Sequence, residues 1–152
     1  MLEVGDPAPE FELLDSEGQP VKLSDFRGQR LVLFFYPKAG TSGCTTQACG
    51  LRDNFPQIEA NSGAVVGLSP DQPAALAKWK AKEELPYPLL SDPDHLVAEA
   101  YGVWGEKSMY GNTYMGIIRS HFIIDAEGKI EDVQFKVSPK DSISRAVASL
   151  ST

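Results

Sequence analysis

An unbroken run of six apolar residues, Leu31 to Tyr36, lies just before the glycine-containing turn Ala39-Gly-Thr-Ser-Gly43. Such a run predicts a strand that is covered by other elements on both faces of its sheet. A cysteine, Cys44, follows the turn at the point where a helix is expected to begin. Because strands joined by short turns to helices build layered domains, this segment favours an α/β fold with a buried central sheet.

The order of the remaining elements predicts a thioredoxin-like fold, in which helices flank a mixed central sheet. We expect one helix from Ser42 to about Asn61, a strand from Ile117 to Ile124, and an irregular loop or hairpin over residues 102–116. An N-terminal hairpin of residues 11–14 and 20–23 is an addition to that plan. The other expected elements are a helical turn at 24–28, strands at 64–69, 89–91 and 130–137, and helices at 73–84, 94–101 and 139–150. No repeat or linker divides the 152 residues, so one domain spanning 1–152 is expected.

Composition excludes several classes of function. The net charge of −7 argues against a nucleic-acid-binding protein, because a phosphate-binding surface needs clustered lysine and arginine. No run is apolar enough for a membrane span, and the first six residues lack the basic and apolar regions of a signal peptide. We therefore expect a cytoplasmic protein with no membrane partner, and a mature organellar form stays open as an alternative.

The chain has two cysteines and two histidines, which are Cys44, Cys49, His95 and His121. Two cysteines are too few for a disulfide-stapled secreted scaffold. A structural zinc site is not expected, because the Cys-x4-Cys spacing is unusual and neither histidine has a partner three to five residues away. No glycine-rich phosphate loop follows a strand, so we expect neither a metal nor a nucleotide cofactor.

Cys44 is the residue on which sulfur chemistry is expected. At the start of a helix, unpaired backbone N–H groups and the positive end of the helix dipole favour a thiolate over a thiol. Gly43, directly before it, leaves room for a small ligand to approach the sulfur. The alternative interpretation is a small, buried and unreactive side chain, as most free cysteines are.

Cys49 lies five residues after Cys44 in the same predicted helix. In an intact helix, five residues rise about 7.5 Å and turn about 500°, which separates the two Cα atoms by about 8.5 Å. A disulfide needs Cα atoms within about 7 Å. If the two cysteines are a working pair, the helix must therefore unwind on oxidation. The alternative is that Cys49 only packs under the helix.

The pattern Pro37-x3-Thr41-x2-Cys44 resembles the active-site motif of the peroxiredoxins, and Cys49 with Thr45-Thr46 resembles their Q-type or bacterioferritin-comigratory-protein branch. Similar blocks follow in the family's order along nearly the whole chain: Gly5-Asp-Pro-Ala-Pro9, Leu23-Ser-Asp-Phe-Arg-Gly28, Phe34-Phe-Tyr-Pro37, Pro88-Leu-Leu-Ser-Asp92, Tyr101-Gly-Val-Trp-Gly105 and Gly116-Ile-Ile-Arg119. Two positions depart from the branch. Ser42 stands where proline is common and Gln47 where glutamate is common, so the turn is less rigid and a negative charge near the sulfur is absent.

The resemblance implies a role for each of five residues. Cys44 would be the peroxidatic cysteine, whose thiolate attacks a peroxide oxygen and becomes a sulfenic acid. Thr41 would hydrogen-bond the sulfur and the peroxide, with helix capping as a second role or an alternative. Pro37 would pack over the pocket or simply end a strand. Arg119, unless it is a solvated surface side chain, would steady the charge that builds as the O–O bond breaks. Gly43, Cys44, Thr41 and Arg119 would together bind the substrate.

Cys49 would be the resolving cysteine of an enzyme that reduces hydrogen peroxide and organic hydroperoxides. It would condense with the sulfenic acid to an intramolecular disulfide, which thioredoxin or a glutaredoxin-like reductant would reopen. We expect a monomer, or at most a weak dimer. A non-catalytic redox sensor or interaction module is the alternative. A thioredoxin-type disulfide reductase is disfavoured, because such enzymes use Cys-x-x-Cys.

Overall fold

The structure, a computed structural model, describes residues 2–150. The strands in this part of the chain are β1 (Glu12–Asp15), β2 (Pro20–Lys22), β3 (Arg30–Phe35), β4 (Gly63–Ser69), β5 (Leu89–Ser91), β6 (Trp104–Met109), β7 (Asn112–Ile117), β8 (Ser120–Ile124) and β9 (Ile130–Gln134). The helices are α1 (Ser42–Asp53), α2 (Phe55–Ala60), α3 (Pro73–Glu83), α4 (Leu96–Ala100) and α5 (Pro139–Leu150), with a 3-10 turn at Leu23–Phe26.

Seven strands form one mixed sheet in the order β2-β1-β5-β4-β3-β8-β9, and β6 with β7 forms a separate two-stranded sheet. At its centre, β3 pairs in parallel with β4 and antiparallel with β8. The N-terminal hairpin joins the sheet through β1, which runs antiparallel to β5. The prediction of a mixed central sheet with flanking helices and an added hairpin is confirmed. No helix within residues 2–150 is long and apolar enough to cross a membrane.

Alternate side chains of β3 enter two apolar clusters, one on each face of the sheet. Val32 and Phe34 pack with side chains of α1, α3 and α5, whereas Leu31 and Leu33 pack with α4 and the 3-10 turn. All four side chains are completely buried. Successive side chains of a strand point to opposite faces, so an unbroken apolar run is what a strand with two covered faces requires.

The expected helix from Ser42 to about Asn61 is wrong in one respect, because the structure divides it into α1 and α2. Asn54 separates them, with φ −100° and ψ 2°. Pro56 lies in the first turn of α2. A proline has no N–H to donate to the carbonyl four residues earlier and its ring crowds that carbonyl, so a continuous helix through this position is disfavoured.

The expected strand from Ile117 to Ile124 is also divided, with Ile118 and Arg119 lying between β7 and β8. The Ile118 amide bonds the carbonyl of Val103, and the Arg119 carbonyl accepts from Val137, so both residues leave the strand ladder. Because of this break, β6 and β7 form a hairpin that is separate from the main sheet. Residues 102–116, expected as a loop or a hairpin, therefore form a hairpin. Its two-residue turn, Tyr110-Gly111, has positive φ at both positions (52° and 81°).

His121 of β8 is completely buried, and burial lowers its pKa to about 4, with Asp132 acting in the opposite direction and Arg145 in the same direction. An unfolded histidine has a pKa near 6.5, so between about pH 6.5 and 4 the unfolded chain binds more protons than the folded one. Stability is then expected to fall as the pH falls through this window, by about 3 kcal/mol from this residue alone.

The measurement is denaturant unfolding at pH 7, 5.5 and 4 of the wild-type protein and of His121→Asn, which does not titrate. As the pH falls, the wild-type protein should lose unfolding free energy relative to His121→Asn. His95→Asn, at a partly exposed histidine, is the control. A pH-independent difference between wild type and His121→Asn would contradict the prediction.

Candidate active site

Cys44 occupies the first turn of α1, as the sequence predicted. Its side chain is completely buried and packs in the cluster that contains Val32, Phe34 and Ala48. The first amide of the helix with an intrahelical bond is that of Thr45, which donates to the carbonyl of Thr41 (2.9 Å). The amides before it belong to the unpaired set at a helix N-terminus, which places positive partial charge beside this sulfur.

Arg119 reaches this sulfur from the junction between β7 and β8. Its Nη2 donates to Cys44 Sγ at 3.4 Å, and its Nη1 donates to Gln47 Oε1 at 2.7 Å. The guanidinium is always charged, so it stabilises negative charge on the sulfur that it contacts. The two donors of one planar group hold the cysteine and the glutamine in a fixed relation. The buried cysteine is therefore not an inert apolar side chain.

Gly43 makes room for this arginine. A β-carbon at position 43 would lie 3.1 Å from Arg119 Nη2 and 3.6 Å from Pro139 Cγ. The first distance is tighter than ordinary van der Waals contact, so a side chain here would press on the guanidinium. The missing side chain of Gly43, which was expected to leave room for a small ligand, thus also leaves room for Arg119.

Thr41 and Pro37 both lie in the turn that connects β3 to α1 and precedes Cys44. Thr41 has extended backbone angles at the N-cap position of α1, but its hydroxyl makes no capping bond and donates to the Lys38 carbonyl (2.9 Å). Thr41 is therefore the N-cap residue of α1 by position, but its hydroxyl is used inside the preceding turn and does not cap the helix. Pro37 is half-buried in the bend after β3.

Cys49 lies on the same uninterrupted helix, and both cysteines are free. Its thiol donates to Glu83 Oε2 at 3.4 Å, across the gap between α1 and the end of α3. Partial burial is the largest cause that raises the pKa of Cys49, and this hydrogen bond is the second. Arg52 acts in the opposite direction. Cys49 is thus held as a thiol, turned towards Glu83.

The sequence reasoning missed the contact between Gln47 and Arg119. The available signal was the spacing of three residues from Cys44, which puts both side chains on one face of a helix. It also missed Tyr87, whose hydroxyl donates to the Ala48 carbonyl at 2.6 Å, and Trp79, whose Nε1 donates to Thr45 Oγ1 at 3.3 Å. These two hydrogen bonds tie α1 to buried residues outside the helix, and no local sequence pattern predicts them.

A cleft of about 620 Å³ opens beside Arg119, between residues 106–108 of β6 and residues 135–138 after β9. Lys107 lines it and donates to the Ile117 carbonyl at 2.8 Å. Burial and the nearby Arg119 lower the pKa of Lys107. The guanidinium therefore connects an open cleft with the covered sulfur. Within residues 2–150 there is no group of three or more histidine, cysteine, aspartate or glutamate side chains that could hold a metal ion.

Comparison with known proteins gives consistent matches over nearly the whole chain. A family model described as the AhpC/TSA family matches residues 4–133. The chain is 54% identical over 139 residues to Peroxiredoxin Bcp of Escherichia coli (strain K12), covering 90% of this chain and 89% of that relative.

Two solved structures give the same result. PrxQ of Xylella fastidiosa superposes with a TM-score of 0.93 at 30% identity, over 99% of this chain and 96% of that chain. The bacterioferritin comigratory protein of Xanthomonas campestris, studied for its alkyl peroxide reduction activity, has a TM-score of 0.89 at 31% identity with the same coverage. The thioredoxin-like fold predicted from the order of elements is the fold of these structures.

Proposed function

This chain belongs to the AhpC/TSA family, in its peroxiredoxin Q or Bcp branch, and on that premise we propose that its thiol peroxidase reaction takes place at Cys44. The observation that carries this assignment is the 3.4 Å contact between the Cys44 sulfur and the Arg119 guanidinium. A buried sulfur at a helix N-terminus, touched by a permanent positive charge, is arranged to react as a thiolate.

In the proposed reaction, the Cys44 thiolate attacks one oxygen of the peroxide. A sulfur–oxygen bond forms while the O–O bond breaks, and the second oxygen takes up a proton and leaves as water or an alcohol. Cys44 becomes a sulfenic acid. Negative charge moves from the sulfur to the leaving oxygen. The Arg119 guanidinium is placed to stabilise that charge on the sulfur and on the leaving oxygen.

The substrate is a peroxide, and we propose that both hydrogen peroxide and organic hydroperoxides are accepted. The cleft beside Arg119 is open and carries an apolar wall at Ile118 and Phe135, which suits an organic substituent. The alkyl peroxide reduction activity of the Xanthomonas campestris protein supports the organic hydroperoxides as substrates.

The second half of the cycle requires a reductant partner. We propose that the Cys49 thiol attacks the sulfenic acid sulfur of Cys44, releasing water and forming an intramolecular disulfide. Because α1 is intact here, its first turns have to unwind before the two sulfurs meet. Thioredoxin or a glutaredoxin-like dithiol protein would then reopen the disulfide by thiol exchange.

The direct test is the second-order rate constant of the reduced protein with hydrogen peroxide and with cumene hydroperoxide, measured by stopped-flow tryptophan fluorescence. Replacing Arg119 by methionine keeps much of the side-chain volume and removes both donors. We expect the rate constant to fall about 100- to 1,000-fold, as when a charge-stabilising donor is lost from an active site.

Arg145→Met is the matched control, because Arg145 is an exposed arginine of α5. It should react at the wild-type rate. A wild-type rate no faster than that of a free thiol would overturn the peroxidase assignment and favour a redox sensor. Full activity in Arg119→Met would remove the arginine from the mechanism.

A further inference from the structure

Behind Arg119, three completely buried polar side chains continue in series away from the cysteine. Gln47 Nε2 donates to Ser142 Oγ at 2.8 Å, and the same Oγ lies 2.8 Å from His121 Nδ1. The exposed fraction is 0% for Gln47, Ser142 and His121 alike. The series joins α1 to α5 and β8, two elements that lie far from α1 in sequence.

Counting donors and acceptors assigns a direction to each bond in this series. Gln47 Oε1 accepts from Arg119, so its amide nitrogen faces Ser142 and donates. The Ser142 oxygen accepts from the amide, and its single proton is then directed at His121 Nδ1. The opposite tautomer would leave the hydroxyl proton without an acceptor among residues 2–150, so we assign Nδ1 as the acceptor and place the imidazole proton on Nε2. Burial keeps the pKa of His121 at about 4, so the ring is neutral near pH 7; Asp132 and Arg145 are the charged groups that act on it.

The Nε2 end of His121 has no hydrogen-bond partner within the described residues. A buried N–H without a partner costs stability, and an apolar side chain would pack at this position without that cost. The imidazole is therefore better explained by its other nitrogen, which is the only acceptor that the Ser142 hydroxyl has within residues 2–150.

We propose that Ser142 and His121 are positioning residues for the reaction at Cys44, a proposal that rests on the peroxidase function proposed above. They hold the Gln47 amide in the one orientation in which its oxygen faces Arg119. If the amide rotated by 180°, its NH₂ group would face the guanidinium donors, and the second anchor of Arg119 would be lost. The arginine would then be free to move off the sulfur that it contacts through Nη2.

The neutral glutamine gives the proposal a spectroscopic signature. In Gln47→Glu, a carboxylate has only acceptor oxygens, so it accepts from both Arg119 and the Ser142 hydroxyl. The Ser142 oxygen is then left to accept, and His121 must donate from Nδ1. The variant is therefore expected to move the imidazole proton from Nε2 to Nδ1.

The first experiment measures that tautomer by ¹⁵N NMR of the reduced protein near pH 7, with His95→Asn to assign the two histidines. We expect a protonated Nε2 in the wild type and a protonated Nδ1 in Gln47→Glu. A protonated Nδ1 in the wild type, or the same tautomer in both proteins, would overturn the proposal. This measurement needs no peroxide and no variant of Ser142.

The second experiment measures the rate constant with hydrogen peroxide for Ser142→Ala against Ser144→Ala, the same deletion at an exposed serine of α5. We expect Ser142→Ala to be slower by about tenfold or more, as when a residue that orients an active-site group is removed. Ser144→Ala should match the wild type.

At position 121, asparagine keeps an acceptor near the place of Nδ1 and should retain the rate, whereas His121→Leu should lose it as Ser142→Ala does. Wild-type rates in both Ser142→Ala and His121→Leu would overturn the positioning role while leaving the peroxidase intact. A slow wild-type protein would instead count against the function itself. Should Ser142→Ala not fold, the tautomer comparison still decides the proposal.

Discussion

Replacing Cys44 by serine is expected to abolish peroxide reduction, lowering the rate by roughly a thousandfold or more, because the variant lacks the nucleophile. A serine hydroxyl is not ionised near neutral pH, and one guanidinium contact cannot make it so. Serine also cannot form the sulfenic acid on which the second half of the cycle depends. The measurement is NADPH consumption in a coupled assay with thioredoxin, thioredoxin reductase and peroxide.

Loss of activity in Cys44→Ser has to be separated from loss of the fold. Cys44 lies in an apolar cluster, so the smaller and more polar serine will lower stability. Far-UV circular dichroism and thermal unfolding should nevertheless show a folded protein at the assay temperature. Cys49→Ser, the same change five residues further on, is the matched control and should still consume its first equivalent of peroxide. Full turnover in Cys44→Ser would mean that another group is the nucleophile.

The sequence predicted the sheet well where the signal was local. The apolar run at β3 identified a strand with two covered faces, and the helix expected over 139–150 is α5, Pro139–Leu150. It failed where one local signal competed with another. Pro56 was passed over within a longer helical stretch, and the apolar run from Ile117 concealed a break that depends on partners at Val103 and Val137.

The candidate site divides in the same way. Cys44 could be identified from its turn alone, because the helix start and the cysteine are neighbours in sequence. Arg119 is 75 residues away from it, and Ser142 is 95 residues away from Gln47. The antiparallel pairing of β3 with β8 and the packing of α5 on α1 bring these distant residues into contact. Periodicity cannot specify that packing, so Arg119 was assigned through the family resemblance and Ser142 was not assigned at all.

Replacing Cys49 by serine is expected to allow one peroxide turnover and then to stop the cycle. Cys44 keeps its sulfur environment, so the first equivalent should be consumed at close to the wild-type rate. The sulfenic acid then has no internal thiol with which to condense, and thioredoxin-supported steady-state turnover should fall to near zero. Excess peroxide should carry Cys44 on to the sulfinic acid. Burst stoichiometry, with mass spectrometry of the oxidised protein, measures both outcomes.

The same variant tests whether α1 unwinds. In the reduced protein, the Cys49 thiol donates a hydrogen bond to Glu83, and the Tyr87 hydroxyl donates one to the Ala48 carbonyl. We expect both hydrogen bonds to break when the disulfide forms. One equivalent of peroxide should therefore lower far-UV helicity and speed amide exchange in α1 of the wild type. The oxidised Cys49→Ser protein should change much less, because its sulfenic acid requires no movement of the helix. If Cys49→Ser cycled normally with thioredoxin, the resolving thiol would have to come from another molecule, and an intact α1 would no longer stand in the way of catalysis.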